Sequence, residues 1–272
     1  MQQNKISLNS VEEFIQNKFA NFSADNAVVL GSGLSSLVDD LSDKTILPYE
    51  DLPGFTKLTV KGHEGNFVLG KYAGVNTVFM QGRPHFYEGH SLQSFHIFIR
   101  AIKSFGCKRI LMTNAAGSID SNIIPGSIVL IKDHINMQFR NPLIGFKGEK
   151  TNFISMENAY NYDFRSELKQ IAKNNNIKIN EGVYVGVLGP MFETPAEVNA
   201  FRILGGQVVG MSTVPDVIVA RYYGLEVAVL STITNLAAGC GDHELSHDLT
   251  LSRAKLGVEK LTTLINGYLK QY

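Results

Sequence analysis

Phe67-Val68-Leu69-Gly70-Lys71-Tyr72 and Val75-Asn76-Thr77-Val78-Phe79-Met80, joined by Ala73-Gly74, run directly into Gly82-Arg83-Pro84-His85-Phe86-Tyr87-Glu88-Gly89. Two apolar runs around a turn-forming pair read as a β-hairpin. The segment that follows sets a fixed cation and a titratable imidazole two residues apart between glycines, an arrangement suited to an anion. Three more glycine-bounded segments follow strand-like runs: Gly31-Ser32-Gly33, Asn114-Ala115-Ala116-Gly117 and Gly210-Met211-Ser212-Thr213. Small side chains, hydroxyls and free backbone N–H groups at strand ends make one oxyanion cradle from distant parts of the chain.

Outward from the hairpin, strands and helices alternate. Ser10-Val11-Glu12-Glu13 is a capping-box pattern ahead of Phe14, Ile15, Lys18 and Phe19, predicting an opening helix, and Ala27 to Leu30 reads as a short buried strand. Ser91 caps a helix through about Phe105, and Arg109 to Thr113 is a strand ending at Asn114. Ser127 to Ile131 is another strand. A helix near Phe164 to Asn174 precedes the strand Val183 to Leu188. Thr194-Pro195-Ala196-Glu197 is a capping box with proline at the first helical position. Val208 to Met211 and Val227 to Ile233 are β-branched runs flanking a helix-like stretch from Val217 to Tyr222. Ala254, Val258, Leu261, Ile265 and Leu269 then predict a long closing helix capped by Ser246 or Thr250. This order predicts an α/β fold, with a central mixed β-sheet flanked by helices. Asn136 to Asn158 is polar and aromatic-studded, the composition of a functional loop or of an exposed connector.

The 272 residues, 44% of them hydrophobic, suffice to bury roughly three-quarters of the surface exposed on unfolding. No linker or low-complexity tract divides them, so residues 1–272 are expected to form one domain. Twenty-five basic residues balance twenty-five acidic ones, which gives no positive field for nucleic acid or anionic membrane. No run reaches the roughly 20 apolar residues of a membrane span, and Met1 to Ser10 has no apolar export region. Cys107 and Cys240 are too few for a disulfide framework and fit a reducing cytoplasmic setting. A small-molecule partner is the expectation.

Three motifs point elsewhere and lose on context. His243-Glu244-Leu245-Ser246-His247 matches a zinc-protease string, but that chemistry needs both imidazoles on one helix face. Gly239 and Gly241 precede it and Ser246 suits a helix start, so no metal is expected. Gly31-Ser32-Gly33-Leu34-Ser35-Ser36 lacks the third glycine and the downstream acid of a dinucleotide fingerprint. No segment supplies the Gly-Lys-Ser/Thr of a nucleotide P-loop.

The residues that carry chemistry are therefore Ser32, Arg83, His85, Ala116 and Ser212 for an oxyanion, with Glu193 and Asn235 near further strand ends. Singly they have plainer readings: a surface charge for Arg83, a structural histidine for His85, a helix-entry carboxylate for Glu193 and a turn former for Asn235. Their recurrence after strands, where open α/β sheets bind ligands, sets them apart.

Gly31-Ser32-Gly33-Leu34, Gly82 to Gly89, Asn114 to Ser118, Gly189-Pro190-Met191-Phe192-Glu193-Thr194, Gly210-Met211-Ser212-Thr213-Val214-Pro215 and Ile233-Thr234-Asn235 occur in an order that resembles the trimeric purine nucleoside phosphorylase family along nearly the whole chain. Ser35 stands where that family usually has glycine, and Met191 where it has a small polar residue. The resemblance implies a nucleoside phosphorylase/hydrolase-like fold, a cytoplasmic homotrimer and a role in purine salvage. It implies reversible phosphorolysis of 6-oxopurine ribo- or deoxyribonucleosides, with inorganic phosphate as co-substrate and no cofactor. By the same resemblance, Ser32, Arg83, His85, Ser212 and the Ala116 N–H hold phosphate, and Tyr87, Met211 and His247 contact the ribose. Glu193 and Asn235 hold the purine, Phe192 and Tyr184 line its pocket, and Phe153 reaches a neighbouring subunit's site. Phe139, Phe146 and Phe153 fit an interface lid or ordinary loop packing.

Two features bear on the base. A 6-aminopurine offers no N1 hydrogen to Glu193, so inosine and guanosine are expected over adenosine. The related methylthioadenosine phosphorylases usually carry Asp at the Asn235 position and lack the Glu193 equivalent. A hydrolytic nucleosidase and a nucleoside-binding protein without activity are the remaining alternatives. Met191, Tyr184 and the Leu236 to Glu244 loop bear on whether xanthosine is also used.

Overall fold

The computed structural model describes residues 8–31, 33–55, 57–60, 63–148, 151, 153–241 and 252–272. Among these residues nine strands form one mixed sheet in the order β2-β3-β4-β1-β5-β8-β7-β6-β9. They are β1 (Asn26–Leu30), β2 (Ser42–Pro48), β3 (Asn66–Tyr72), β4 (Val75–Gln81), β5 (Arg109–Ser118), β6 (Ile128–Asn136), β7 (Ile179–Gly186), β8 (Val208–Gly210) and β9 (Glu226–Leu236). β9 also pairs with β5, so β5, β8, β7, β6 and β9 close into a ring at one end of the sheet.

The hairpin read from the sequence is β3–β4, antiparallel from Asn66↔Gln81 to Tyr72↔Val75. Ala73 and Gly74 both take positive φ, 52° and 88°, as a two-residue type I′ turn requires. From β4 the sheet continues β1, β5, β9, every neighbouring pair parallel. The four strands point the same way: the Gly82 and Gly31 segments adjoin Thr113 and Asn114 in mid-β5, and Asn235 lies three residues further along, opposite Gly117. β8 runs antiparallel to the end of β5, with Gly117↔Val209 and Ser118↔Val208. That direction carries Met211, Ser212 and Thr213 back towards Asn114.

Strand residues alternate between two cores, as the pleat demands. Val29, Met80, Ile110 and Met112 join one; Val28, Leu30, Phe79 and Leu111 join the other. Helices α1 (Leu8–Lys18), α2 (Leu92–Ser104) and α5 (Val214–Tyr222) cover the first face with Ile15, Phe95, Phe98 and Val217. Helices α3 (Tyr162–Asn174) and α6 (Val258–Leu269) cover the second with Phe164, Leu168, Leu261 and Ile265. Truncating one of these buried phenylalanines to alanine costs about 3–5 kcal/mol.

Several boundaries differ from the sequence reading. Ser10 lies inside α1, which already includes Leu8, so Ser10 is not its cap. β5 does not stop at Thr113 but runs through Asn114 to Ser118, because β9 and β8 supply partners for those residues. The closing helix is broken: residues 252–254 are helical, Lys255–Gly257 tighten into a 3₁₀ turn, and α6 begins at Val258. The proposed caps Ser246 and Thr250 lie outside the described residues. β2 has no alternating apolar signal; its first five residues are exposed and only Leu47 is buried. Helix α4 (Pro195–Ile203) starts as read, with Thr194 Oγ1 accepting from the Glu197 N–H (3.2 Å) and Glu197 Oε2 from the Thr194 N–H (2.8 Å).

Candidate active site

The cradle is built around Arg83. Gly82 ends β4 at φ 97°, turning the chain so that Arg83 enters the protein with 2% of its surface exposed. Its guanidinium donates to the Thr113 carbonyl and to Thr213 Oγ1 (3.2 Å), and Nη1 lies 3.6 Å from the buried carboxylate of Asp216. A surface arginine is thereby excluded. The cation is not presented openly either; it ties the middle of β5, at Thr113, to Thr213 just beyond β8. Burial lowers the Arg83 pKa, and the Asp216 charge opposes that. Burial pushes Asp216 up to about 6, with Arg83 opposing.

Gly31 closes onto the same point. Its N–H donates to Thr113 Oγ1 (2.8 Å), which donates in turn to Val29 O (2.9 Å). A Cβ on Gly31 would stand 3.0 Å from Thr113 O, so glycine permits this approach. Ser32, next in the chain, lies outside the described residues.

His85 stands above Arg83 in a stack of three rings. Its centroid is 5.2 Å from His63 and 4.8 Å from Tyr87, with interplanar angles of 26° and 19°. Its Nδ1 is 2.9 Å from Glu88 Oε1, which also accepts from the His85 backbone N–H (3.0 Å). Glu88 Oε2 accepts from the Thr59 N–H (2.6 Å) and hydroxyl (2.9 Å). Burial alone would raise Glu88, but hydrogen bonds from His85, His90 and Thr59 hold it far below the usual carboxylate range. The ionised carboxylate keeps a proton on Nδ1 and leaves Nε2 for other partners. Burial lowers His85, and Glu88 partly offsets it.

His63 is the member the sequence reading passes over. Its Nδ1 accepts from the Arg83 N–H at 3.4 Å, and a Cβ on Gly82 would collide with its ring at 2.6 Å. Burial pushes its pKa down to about 3, so it is neutral. No motif marks it in the sequence; its contacts with Gly82, Arg83 and His85 identify it.

Ser212 and Thr213 meet β5 beside Arg83. Thr213 Oγ1 lies 2.9 Å from Ser212 Oγ and accepts from Asn114 Nδ2 (2.8 Å). The Ser212 N–H reaches the Tyr184 hydroxyl (3.3 Å). Tyr184 is fully buried on β7, placing it under Ser212.

On β9 a register shift follows Ala116↔Ile233, and the next pair is Gly117↔Asn235. The extra residue, Thr234, makes a bulge that re-aims Asn235. Thr234 Oγ1 donates to Asn235 Oδ1 (2.8 Å), and Asn235 Nδ2 donates to Leu236 O (3.0 Å). Nδ2 would be 3.1 Å from a Cβ on Gly117. The bulge also breaks the ladder beside Ala116, the position read as offering an N–H.

The segment between β7 and α4 completes the site. A Cβ on Gly189 (φ 71°) would stand 2.5 Å from Met211 Sδ and 3.2 Å from Tyr87 Cδ1, so Gly189, Met211 and Tyr87 converge. Phe192 and Glu193 are half-buried, immediately before the Thr194 cap. Pro195 packs on Gly239, four residues past Asn235. Burial raises the Glu193 pKa, as expected for a carboxylate in a partly dry cleft. Met191 is 65% exposed and Phe153 96% exposed, so neither is packed into this chain's own core. His247 and the His243 to His247 string lie outside the described residues.

Arg83, His85, Ser212 and Asn235 are thus gathered on one side of the sheet, and comparison with known proteins gives the class of the fold that carries them. Residues 25–270 match the Phosphorylase superfamily. Purine nucleoside phosphorylase 1 of Bacillus subtilis is 44% identical over 88% of this chain and 90% of its own. That of Geobacillus stearothermophilus is 41% identical over 90% of each. Purine nucleoside phosphorylase of Schistosoma mansoni, solved in complex with inosine and separately with adenosine, superimposes with a TM-score of 0.89 at 33% identity, covering 97% and 96% of the two chains. The chain belongs to this superfamily and, within it, to the purine nucleoside phosphorylase family.

Proposed function

We propose that the chain phosphorolyses 6-oxopurine nucleosides, inosine and guanosine, to the free base and α-ribose 1-phosphate. The convergence of Arg83, His85 and Ser212 on the side of the sheet that also carries Asn235 supports this most strongly. Phosphate rests on Ser32, Ser212, His85 and the Ala116 N–H, with the Arg83 charge beneath it. Tyr87, Met211 and His247 meet the ribose; Phe192, Glu193 and Asn235 surround the base, while Tyr184, read from the resemblance as lining that pocket, is fully buried behind Ser212; Phe153 points outward to a neighbouring subunit of a trimer. One domain in the cytoplasm carries the whole reaction.

A phosphate oxygen attacks C1′ as the bond from C1′ to N9 breaks and its electron pair passes to the purine. The anomeric carbon inverts. The ribose acquires oxocarbenium character, and the bound phosphate charge next to it stabilises that cation while fixing the line of attack. Negative charge gathers on the base, and preorganised hydrogen bonds meet it there. Glu193 accepts from N1–H, and the Asn235 amide, oriented by Thr234, bonds N7 and O6.

An adenine has no N1 hydrogen, leaving the Glu193 carboxylate opposite a lone pair. The adenosine complex of the Schistosoma relative makes turnover, rather than binding, the relevant comparison. Rates with inosine, guanosine, xanthosine, adenosine and methylthioadenosine, each with and without phosphate, test the reading. Inosine and guanosine should lead, only with phosphate. Preferred turnover of methylthioadenosine or adenosine would overturn it, and so would inosine binding without turnover.

A further inference from the structure

We infer that Thr213 is a positioning residue that orders the protons of the cradle, so that the Ser212 hydroxyl points its hydrogen at the bound phosphate; this rests on the phosphate site proposed above. A hydroxyl has one hydrogen to give and two lone pairs to receive. Thr213 Oγ1 faces Arg83, Asn114, Ser212 and the Tyr184 hydroxyl. Arg83 Nη1 at 3.2 Å and Asn114 Nδ2 at 2.8 Å carry only hydrogens, so both donate and occupy both lone pairs. With both lone pairs filled, Thr213 Oγ1 cannot take a hydrogen from Ser212 Oγ at 2.9 Å, and its own hydrogen goes to that oxygen or to the buried Tyr184 hydroxyl.

That assignment passes along the chain of bonds. Ser212 Oγ, facing an oxygen whose lone pairs are both filled, sends its own hydrogen away from it. The other polar groups of Ser212 are committed: its N–H donates to the Tyr184 hydroxyl, and its carbonyl accepts from the Val214 N–H at 2.8 Å. Ser212 is half-buried whereas Thr213 is fully buried, so the serine hydroxyl is the end of the chain that meets the cleft. It presents a donor, which an unprotonated phosphate oxygen accepts.

The backbone supports a role for the hydroxyl itself. Thr213 sits at φ 73°, ψ −54°, a region that β-branched residues avoid and glycine enters freely. Glycine would relieve the backbone and delete only the side chain. Threonine there keeps an unfavourable conformation together with three hydrogen bonds.

Thr213→Gly, Thr213→Val and Thr213→Ser test this with inosine and inorganic phosphate, reading both KM values, kcat and thermal midpoint. Loss of the hydroxyl leaves two buried donors unpaired and frees Ser212 to turn inward. The KM for phosphate should rise tenfold or more in Thr213→Gly, with the KM for inosine changed less than threefold; Thr213→Ser should restore the phosphate KM to within threefold of the parent. Thr213→Val, of matching shape, should reproduce the glycine result if the glycine variant does not fold. A phosphate KM within twofold of the parent in either hydroxyl-free variant overturns the inference, as does an equal rise in both KM values. Phosphate-independent cleavage by the parent protein would instead overturn the proposed function.

Discussion

The imidazole of His85 is locked to the carboxylate of Glu88: Nδ1 lies 2.9 Å from Oε1, and the same oxygen takes the His85 backbone N–H. One carboxylate thus sets the ring's tautomer and its angle, and Thr59 fixes that carboxylate from the other side. Without the negative charge the pKa of His85 falls further. Glu88→Gln should therefore raise the KM for phosphate about tenfold, the scale of one lost charge-assisted hydrogen bond, with little change in the KM for inosine. Steady-state kinetics at fixed inosine and varied phosphate checks this; an unchanged phosphate KM would detach Glu88 from the cradle.

Glu193 offers the clearest separation of activity from stability. It is half-buried, burial raises its pKa, and its proposed work is on the transition state. Glu193→Ala should lower kcat/KM for inosine about 100-fold, equivalent to ~2.7 kcal/mol, and move the thermal midpoint by less than about 2 °C. Equal activity in the variant would remove Glu193 from the reaction.

Asn235 should set the choice of base. Its Oδ1 is held by Thr234 and its Nδ2 by Leu236 O, so the amide cannot turn freely. Asn235→Asp replaces the donor by a group that accepts from a 6-amino substituent or, when protonated, donates to N7. The ratio of adenosine to inosine turnover should rise at least fivefold; competition between the two nucleosides measures it, and a constant ratio would count against the assignment.

Away from the site, His96 gives a test of stability against pH. It is buried on α2, its Nε2–H donates to Pro142 O (2.9 Å), and it stacks on Phe146. Burial pushes its pKa down to about 4, below the ordinary value near 6.5 that it regains on unfolding. The unfolded chain therefore takes up the extra proton between about pH 6.5 and 4, and the folded state loses stability as pH falls through that window. At pH 5 this group's share of the loss is about 2 kcal/mol. His96→Gln should be less stable than the parent at pH 7.5 and close most of that gap at pH 5, as urea midpoints at the two values would show. Parallel losses in both proteins would refute the account.

The parts of this molecule legible in the sequence are those where local pattern and tertiary role coincide. The hairpin announced itself through Ala73-Gly74, and α4 through Thr194, Pro195 and Glu197, because turn and cap chemistry is written within four residues. The Gly31 and Gly82 segments were visible because each follows a buried strand, whereas Asn114 to Gly117 lies within β5. What stayed hidden depends on partners far along the chain. β5 extends past Thr113 only because β8 and β9 pair with it, and the bulge at Thr234 is a property of two strands together. β2 is exposed along most of its length and leaves no alternation to read. His63 is recognised only where its ring fills the space a side chain at Gly82 would need. Arg83 was readable as a cation set between glycines; that Asp216 and Thr213 hold its guanidinium required the packed structure.

The central claim is that phosphate, not water, takes the sugar. It is tested most directly by incubating the protein with inosine and measuring hypoxanthine, ribose 1-phosphate and free ribose together, with and without inorganic phosphate. One ribose 1-phosphate should form per hypoxanthine, with neither product when phosphate is left out. Hypoxanthine released at the same rate without phosphate, accompanied by free ribose, would contradict the account.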